Sequence, residues 1–359
     1  MKICLCIDMI SSGGAERVIS TLANEFSNIG HEVFLIETSN FDKKPFYSLN
    51  SKVKHIQLLE KVQKRINFVK KIPIAKKCIN EIKPDVVISF KYQTNFLCYF
   101  ALKRTGILHI VSERNNPYKY SNGFVSKILR KRVFRKADGC VFQTKDALEF
   151  YFKCETQKTA IIDNPLFLST LPVSPSCLRE KTILYVGRLE EQKNTIMLID
   201  AFDSLHKDYP DYILKIYGNG SLFNCLVEYV EKLDSHNRII FKGNSKTWQE
   251  DEKRSSLFVL PSNYEGMPNS LMEAMALGIP CISTNCPIGG PAKLIRNNIN
   301  GLLTEVGNVG QLISKIRFVL DNPETPVSFA KENVKMLIDY SPFKIASDWI
   351  AFIERIRGI

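Results

Sequence analysis

The amino-acid sequence predicts an α/β protein built as two tandem doubly wound domains. Three observations carry this expectation. The chain has 359 residues, more than one ordinary hydrophobic core organises. Its short apolar runs are continuous and alternate with helical patterns, the mark of parallel sheets covered on both faces. The alternation stops at Asn164–Lys181, a stretch with Pro165, Pro172, Pro175 and several Ser, and then restarts.

Taken in order, the first half offers strands at Ile3–Asp8, Glu32–Glu37, Asp85–Phe90, Leu108–Ser112, Gly139–Gln143 and Ala160–Asp163, with helices such as Ala15–Ile29 and Leu97–Thr105. The second half offers strands at Thr182–Val186, Tyr212–Tyr217, Ile239–Phe241, Leu257–Leu260, Cys281–Ser283 and Gly301–Thr304. Its helices are Asn194–Lys207, Ser221–Leu233, Asn269–Leu277 and Val309–Leu320. The expected domains are residues 1–170 and 171–340, with a helix in 341–359 returning to the first. Two such domains would face each other across a cleft, with ligands at the strand C-termini.

Composition narrows the class. At 45% hydrophobic residues and without a long polar tract, the chain is a folded globular protein. The start, MKICLCIDMI, is too short an apolar run for a secretory signal, and no segment has the roughly 18 apolar residues of a spanning helix. A cytoplasmic protein is expected. The ten Cys are scattered, several (Cys4, Cys6, Cys140, Cys281) inside strand-like runs. No CxxC pair exists and the His are not spaced for zinc, so buried thiols are expected rather than a metal site. Charge is uneven: residues 1–175 carry a net +13 and residues 176–359 a net −1. The basic half is expected to meet an anionic surface or polymer.

The stretch Pro261–Pro280, PSNYEGMPNSLMEAMALGIP, is the most informative. A strand ends at Pro261, a loop carries Glu265 and Gly266, and Asn269 or Ser270 is placed to cap a helix that stops at Gly278. Backbone N–H groups clustered at a helix start favour a phosphate, and carboxylates on either side suit sugar hydroxyls. Other signals fall at strand ends. Gly13-Gly14-Ala15-Glu16-Arg17 follows the first strand and opens a helix, a phosphate loop or a plain tight turn. In Gly187-Arg188-Leu189-Glu190-Glu191-Gln192-Lys193, Arg188 and Lys193 are placed to grip a diphosphate, or are solvated loop charges. Gly218-Asn219-Gly220 and Gly243-Asn244 read as a floor for a base or ribose, or as turns. Ile288-Gly289-Gly290 is a further glycine turn.

The set GGAER, VGRLEEQKN, GNG, EGMPNSLMEAMALGIPCIST and NGLLTE resembles family 4 of the retaining glycosyltransferases, over nearly the whole chain. The start SGGAERVISTLANEF looks like members that build bacterial surface polysaccharides. The resemblance implies the GT-B fold: two facing Rossmann-like doubly wound domains with an interdomain cleft. It implies that Arg188 and Lys193 hold the donor diphosphate and stabilise the leaving group's charge. Glu273 would accept from the ribose hydroxyls and Glu265 from those of the donor sugar. Gly13, Gly14, Gly187, Gly218, Gly243, Asn244 and the run Gly266, Met267, Pro268, Asn269 and Ser270 would line the donor. No metal or other cofactor is implied, and the displacement would be front-face. Many relatives carry a His on a loop of the first domain. Here His109 falls inside a strand and reads as a core residue, leaving Glu113 and Arg114 at that strand's end to meet the acceptor.

Two stretches hold the basic charge. Lys61–Lys83 carries Lys64, Arg65, Lys70, Lys71, Lys76 and Lys77 among Val62, Ile66, Phe68, Val69 and Ile72. Phe124–Lys136 sets Lys127, Arg130, Lys131, Arg132 and Arg135 among Phe124, Val125, Ile128, Leu129 and Val133 at helical spacing, as in helices that lie on anionic lipid. Such a pattern also describes a helix packed on its own domain. The expected activity is transfer of a hexose or N-acetylhexosamine from a nucleotide sugar, UDP-linked, to a lipid-linked glycan. The pathway would be capsule, exopolysaccharide or O-antigen synthesis, at the inner face of the cytoplasmic membrane. The alternatives are a nucleotide-sugar epimerase or hydrolase of the same fold, and a non-enzymatic nucleic-acid binder. Nucleic acid is not expected as a partner, because aromatics are not interleaved with the basic runs.

Overall fold

Alternate residues of the first strand face two different cores, and this organises the first unit. The computed structural model describes residues 1–39, 45–60, 66–119, 123–174, 177–322, 324–333 and 335–358, save the side chains of residues 124 and 125. Val62, Lys64, Arg65 and Pro175 of the basic run and the linker lie outside that description, as do the side chains of Phe124 and Val125. The chain divides into two units, Met1–Pro165 with Tyr340–Ile359, and Leu166–Asp339.

The first unit runs β1 (Lys2–Ile7), α1 (Gly14–Asn28), β2 (Glu32–Glu37), β3 (Lys54–Gln57), α2 (Phe68–Ile82), β4 (Val86–Phe90), α3 (Tyr92–Ala101), β5 (Leu108–Ser112), α4 (Gly123–Lys136), β6 (Gly139–Phe142), α5 (Lys145–Tyr151) and β7 (Thr159–Ile161). All strands are parallel, in the order β3-β2-β1-β4-β5-β6-β7. Ile3, Leu5 and Ile7 pack with Val18, Ile19, Leu22 and Phe26 of α1. Cys4 and Cys6 face the other way, toward Ala75 and Ile79 of α2 and Leu97, Cys98 and Ala101 of α3. The two-residue period of a strand produces this split. Each fully buried Ile, Leu or Phe contributes about 1.5–3 kcal/mol.

The second unit runs β8 (Glu180–Val186), α6 (Thr195–Leu205), β9 (Ile213–Tyr217), α7 (Phe223–Val230), β10 (Ile239–Gly243), α8 (Trp248–Glu252), β11 (Ser255–Leu260), α9 (Asn269–Ala276), β12 (Cys281–Thr284), α10 (Gly290–Leu294), β13 (Leu302–Thr304), α11 (Val309–Asp321), α12 (Glu324–Asn333) and α13 (Met336–Asp339). Its sheet is also parallel, in the order β10-β9-β8-β11-β12-β13. The last helix, α14 (Pro342–Arg357), packs on α1 in the first unit. Trp349, fully buried, stacks on Phe90 with ring centroids 6.0 Å apart. Gly139 leaves room for Phe352, whose ring stands 3.0 Å from where a Cβ would be.

Several sequence expectations shift. β3 arises where no element was expected, α2 where only a basic run was noted, and α3 begins at Tyr92 rather than Leu97. Neither Asn269 nor Ser270 caps α9: Asn269 is its first residue, Pro268 precedes it, and no side chain caps it. Gly278 does end the helix, in a left-handed conformation at φ +78°, and Arg179 donates to its carbonyl at 2.5 Å. Cys4, Cys6, Cys140 and Cys281 are buried free thiols, as expected. Among the described residues no helix is long and apolar enough to cross a membrane.

Candidate active site

In the second unit the strand order reverses between β8 and β11, and ligands of open parallel sheets bind outside the strand ends at such a point. The loop after β8 carries Arg188 and Lys193. The loop after β11 carries Ser262 and Glu265. The two loops are stitched together. Asn263 N–H donates to Gln192 O at 2.8 Å, and Gln192 Nε2 donates to Tyr264 O at 3.0 Å. Lys193 Nζ lies 2.5 Å from Glu265 Oε1, which also accepts from Ser262 Oγ at 2.6 Å.

The two cations differ in exposure. Arg188 is exposed and donates from Nη2 to Gln192 Oε1 at 3.1 Å. Lys193 is not an exposed cation: its side chain is 12% exposed and that of Glu265 6%. A 3₁₀ turn, Glu191–Lys193, and Asn194 at φ +47° bring the lysine back under the β11 loop. Glu273, on the second turn of α9, is also buried and accepts from Gln249 Nε2 at 3.0 Å. Gln249 in turn accepts from Ser169 N–H at 2.6 Å, so it ties Glu273 to the start of this unit.

Gly218 and Gly290 of the second unit have steric reasons to be glycine. A Cβ on Gly218, at φ +133°, would collide with Gly187 O, and one on Gly290 would collide with Gly266 O. Gly218 N–H donates to Gly243 O at 2.8 Å, and Gly187 N–H to Tyr217 O at 3.0 Å. Gly187, Gly218 and Gly243 thus share one edge of the sheet, and Asn244 follows them, exposed. Glu265 N–H donates to Pro287 O at 2.7 Å, which pairs the Gly266–Ser270 segment with the turn before Gly290. Burial pushes the neighbouring Cys286 thiol up to about 12.

In the first unit, α1 begins at Gly14 with Gly13 as its N-cap. Glu113, expected on the acceptor side, is withdrawn from the surface. It is buried, with Tyr151 Oη donating to Oε2 at 2.6 Å and Arg114 N–H to Oε1 at 3.1 Å. Arg114 lies over the rings of Phe90 (4.3 Å) and Trp349 (5.5 Å) and donates to Asn164 Oδ1 at 3.0 Å. Desolvation pulls its guanidinium down to about 9, so it stays charged at neutral pH. His109 is the core residue expected, buried with Nε2 2.9 Å from Ser89 Oγ.

Helix α4 divides its basic residues. Arg130 is corrected as a surface residue: it is 2% exposed and its Nη1 donates to Pro117 O at 3.0 Å. Lys131 is half-buried, 4.9 Å from the Phe150 ring centroid. Lys127, Arg132 and Arg135 are exposed, and so is Ile128. The packed side is Arg130, Val133 and Phe134.

These loops and sheets have known counterparts. The family model described as Glycosyl transferases group 1 matches residues 172–336, and that of Glycosyltransferase Family 4 matches residues 12–166. An uncharacterized glycosyltransferase of Methanocaldococcus jannaschii is 32% identical over 284 residues, 72% of this chain and 68% of that protein. The chain belongs to glycosyltransferase family 4. The glycosyltransferase is also 28% identical, over 100% of its length and 99% of the other's, to a Campylobacter jejuni enzyme. That enzyme is named GalNAc-alpha-(1->4)-GalNAc-alpha-(1->3)-diNAcBac-PP-undecaprenol alpha-1,4-N-acetyl-D-galactosaminyltransferase. Among solved structures, Anabaena HepE in complex with UDP-glucose superposes with a TM-score of 0.81 at 15% identity, covering 100% of both chains. The glycosyltransferase thus has the GT-B fold, of two Rossmann-like parallel-sheet domains.

What the sequence missed are the partners: Ser262, Gln192 and Gln249, which hold Glu265, Arg188 and Glu273. Gln192 and Ser262 lie inside the quoted stretches but were given no role there, and Gln249, outside them, meets Glu273 only through the fold.

Proposed function

We propose that the glycosyltransferase is a retaining, metal-independent enzyme. It moves a hexose or N-acetylhexosamine from a UDP-sugar to a polyprenyl-diphosphate-linked oligosaccharide, in capsule, exopolysaccharide or O-antigen synthesis. The observation that carries this reading is the pairing of Lys193 with Glu265 at the switch point of the second sheet, beside exposed Arg188. Arg188 supplies a fork and Lys193 a point charge for a diphosphate leaving group, so two protein cations do the work otherwise given to a metal. Glu265 is then released to accept from hydroxyls of the donor sugar, and Glu273 from the ribose. The backbone segment Gly266–Ser270 lies against the donor, and departure of the diphosphate assists attack from the same face.

The acceptor class is supported by the undecaprenol-linked substrate in the name of the Campylobacter relative. An inner-leaflet, peripheral location is supported by the exposed Lys127, Ile128, Arg132 and Arg135 of α4 and the exposed Phe68 and Val69 of α2. Helices α2, α3 and α4 pack in series on the first unit, so these residues share one side of the sheet.

The test is a thermal-shift series with UDP, GDP, ADP and CMP, with and without Mg²⁺. A ligand that binds only the native state raises the melting temperature by mass action. UDP is expected to raise it, equally with Mg²⁺ or EDTA, and to lose that effect in Arg188→Ala. Absence of a shift with every nucleotide would sink the reading.

A further inference from the structure

Gln249 is 2% exposed and uses every hydrogen-bonding position of its side-chain amide. Its Oε1 accepts from Ser169 N–H at 2.6 Å and from Ser169 Oγ at 2.8 Å. Its Nε2 donates to Phe167 O at 3.2 Å and to Glu273 Oε2 at 3.0 Å. Phe167 and Ser169 lie just past Pro165, where the first unit ends. One side chain therefore joins the segment by which the chain enters the second unit to the carboxylate proposed for the ribose hydroxyls.

The direction of that amide is forced. A backbone N–H only donates and a backbone carbonyl only accepts. Ser169 N–H fixes the amide oxygen on one side, and Phe167 O fixes the NH₂ group on the other. The remaining proton points at Glu273, so Gln249 offers that carboxylate a donor and nothing else. Reversing the amide would set N–H against N–H, and its oxygen against a carbonyl and a carboxylate. With Oε2 held by this donor, the carboxylate is oriented before any ligand arrives. Binding then does not have to remove the rotamer freedom of Glu273.

The helix that carries Gln249 is itself anchored. With five residues, α8 is too short to hold its shape alone. Its last residue, Glu252, is 2% exposed and accepts from Lys215 Nζ at 2.8 and 3.0 Å, from Tyr217 Oη at 2.8 Å and from Ser255 Oγ at 3.1 Å. Those partners belong to β9 and to the start of β11, so α8 is fixed to the sheet one turn from Gln249. The entry segment follows the same helix: Thr170 Oγ1 accepts from Lys253 Nζ at 3.4 Å. We infer that Gln249 is a positioning residue for nucleotide recognition. It holds the Glu273 carboxylate in the orientation that receives the ribose hydroxyls, and it makes that carboxylate and the Phe167–Ser169 segment one hydrogen-bonded unit. This rests on the proposed role of Glu273 and names the residue on which that role depends. Hydroxyls that engage Glu273 act through one amide on Ser169 N–H.

The experiment compares UDP with 2′,3′-dideoxyuridine diphosphate, which lacks both ribose hydroxyls, on the full-length protein. By calorimetry the wild type is expected to bind UDP about tenfold or more tightly than the dideoxy compound, as hydrogen bonds to a charged group imply. Gln249→Met keeps the length of the side chain and removes the amide. It should bind UDP about tenfold more weakly and leave affinity for the dideoxy compound unchanged, so the preference for ribose collapses. A merely structural loss would weaken both ligands alike; that result, or an unchanged preference, overturns the inference. The variant strands Ser169 N–H and Phe167 O and is expected to melt earlier than the wild type. A second measurement therefore uses the wild type alone. Hydrogen exchange of the Ser169 amide should slow with saturating UDP and keep its ligand-free rate with the saturating dideoxy compound. Equal slowing by both ligands, or by neither, overturns the inference. Failure of the Glu273 reading has its own signature: a wild type without preference for ribose overturns that role, and the inference with it. A preference that disappears in Glu273→Ala yet survives in Gln249→Met overturns the role of Gln249 alone.

Discussion

Lys193 Nζ stands 2.5 Å from Glu265 Oε1, and both side chains are largely withdrawn from water. A pair in that setting behaves unlike a surface salt bridge. Removing one partner leaves an uncompensated charge, which costs about 3–5 kcal/mol when burial is complete and less here. Lys193→Ala is therefore expected to lower both activity and stability, contrary to what an exposed cation would give. The double variant Lys193→Met/Glu265→Gln should recover most of the stability and none of the transfer rate. Denaturation midpoints beside single-turnover rates decide it; recovery of activity in the double variant would refute the proposed roles.

Arg188 gives the opposite pattern. It is exposed, and among the described residues its side chain donates to Gln192 alone. Arg188→Ala should change stability by no more than about 0.5 kcal/mol, as surface substitutions do. The loss of a cation facing the leaving diphosphate should lower kcat/KM by about 10²–10³-fold. Arg188→Lys should restore part of the rate, since a point charge replaces the fork without its geometry. Equal stability losses in Arg188→Ala and Lys193→Ala would contradict the difference in burial.

The sequence was most legible where one strong local pattern sufficed. Ile3–Ile7, Val86–Phe90 and Leu257–Leu260 are largely apolar runs because both sheet faces are covered, and their positions were readable. Lys54–Gln57 was not, because KHIQ is an edge strand with mostly half-buried side chains and no apolar run. The order of Arg188, Lys193, Glu265 and Glu273 was visible from motif spacing. Their burial was not, because it depends on Ser262, Gln192 and Gln249, contacts set by the fold rather than by neighbours in sequence. Helix α4 shows the same limit. Its spacing fits two opposite faces, and only the packing against Pro117 and Phe150 shows that Arg130 points inward.

That packing separates two kinds of arginine on one helix. Lys127→Gln/Arg132→Gln/Arg135→Gln should lose flotation with vesicles of anionic phospholipid and keep its melting temperature. Each basic residue near an anionic surface is worth about 1 kcal/mol, so three lost charges correspond to roughly a hundredfold weaker binding. Arg130→Gln should do the reverse, since its Nη1 holds Pro117 O at 3.0 Å inside the unit. Its expected cost is about 1–3 kcal/mol, the range for leaving a buried polar group unsatisfied. Unchanged flotation of the triple variant would remove the membrane proposal.

His109 supplies a pH test of the first unit. Burial lowers its pKa from 6.5 to about 3, and its ring nitrogen meets Ser89 Oγ at 2.9 Å. The folded state therefore keeps the imidazole neutral where the unfolded chain takes up a proton. Between those two values the unfolded state binds more protons, so stability rises with pH. This contribution is fully present above pH 6.5 and is lost progressively as the pH falls toward 3. At pH 5 the loss is about 2 kcal/mol for this one group. His109→Gln keeps a polar partner for Ser89 but cannot titrate. Urea unfolding of both proteins at pH 7.5 and pH 5 should show the wild type losing about 2 kcal/mol more than the variant over that interval. Parallel pH slopes would mean that His109 is hydrated in the folded protein and free to take up its proton.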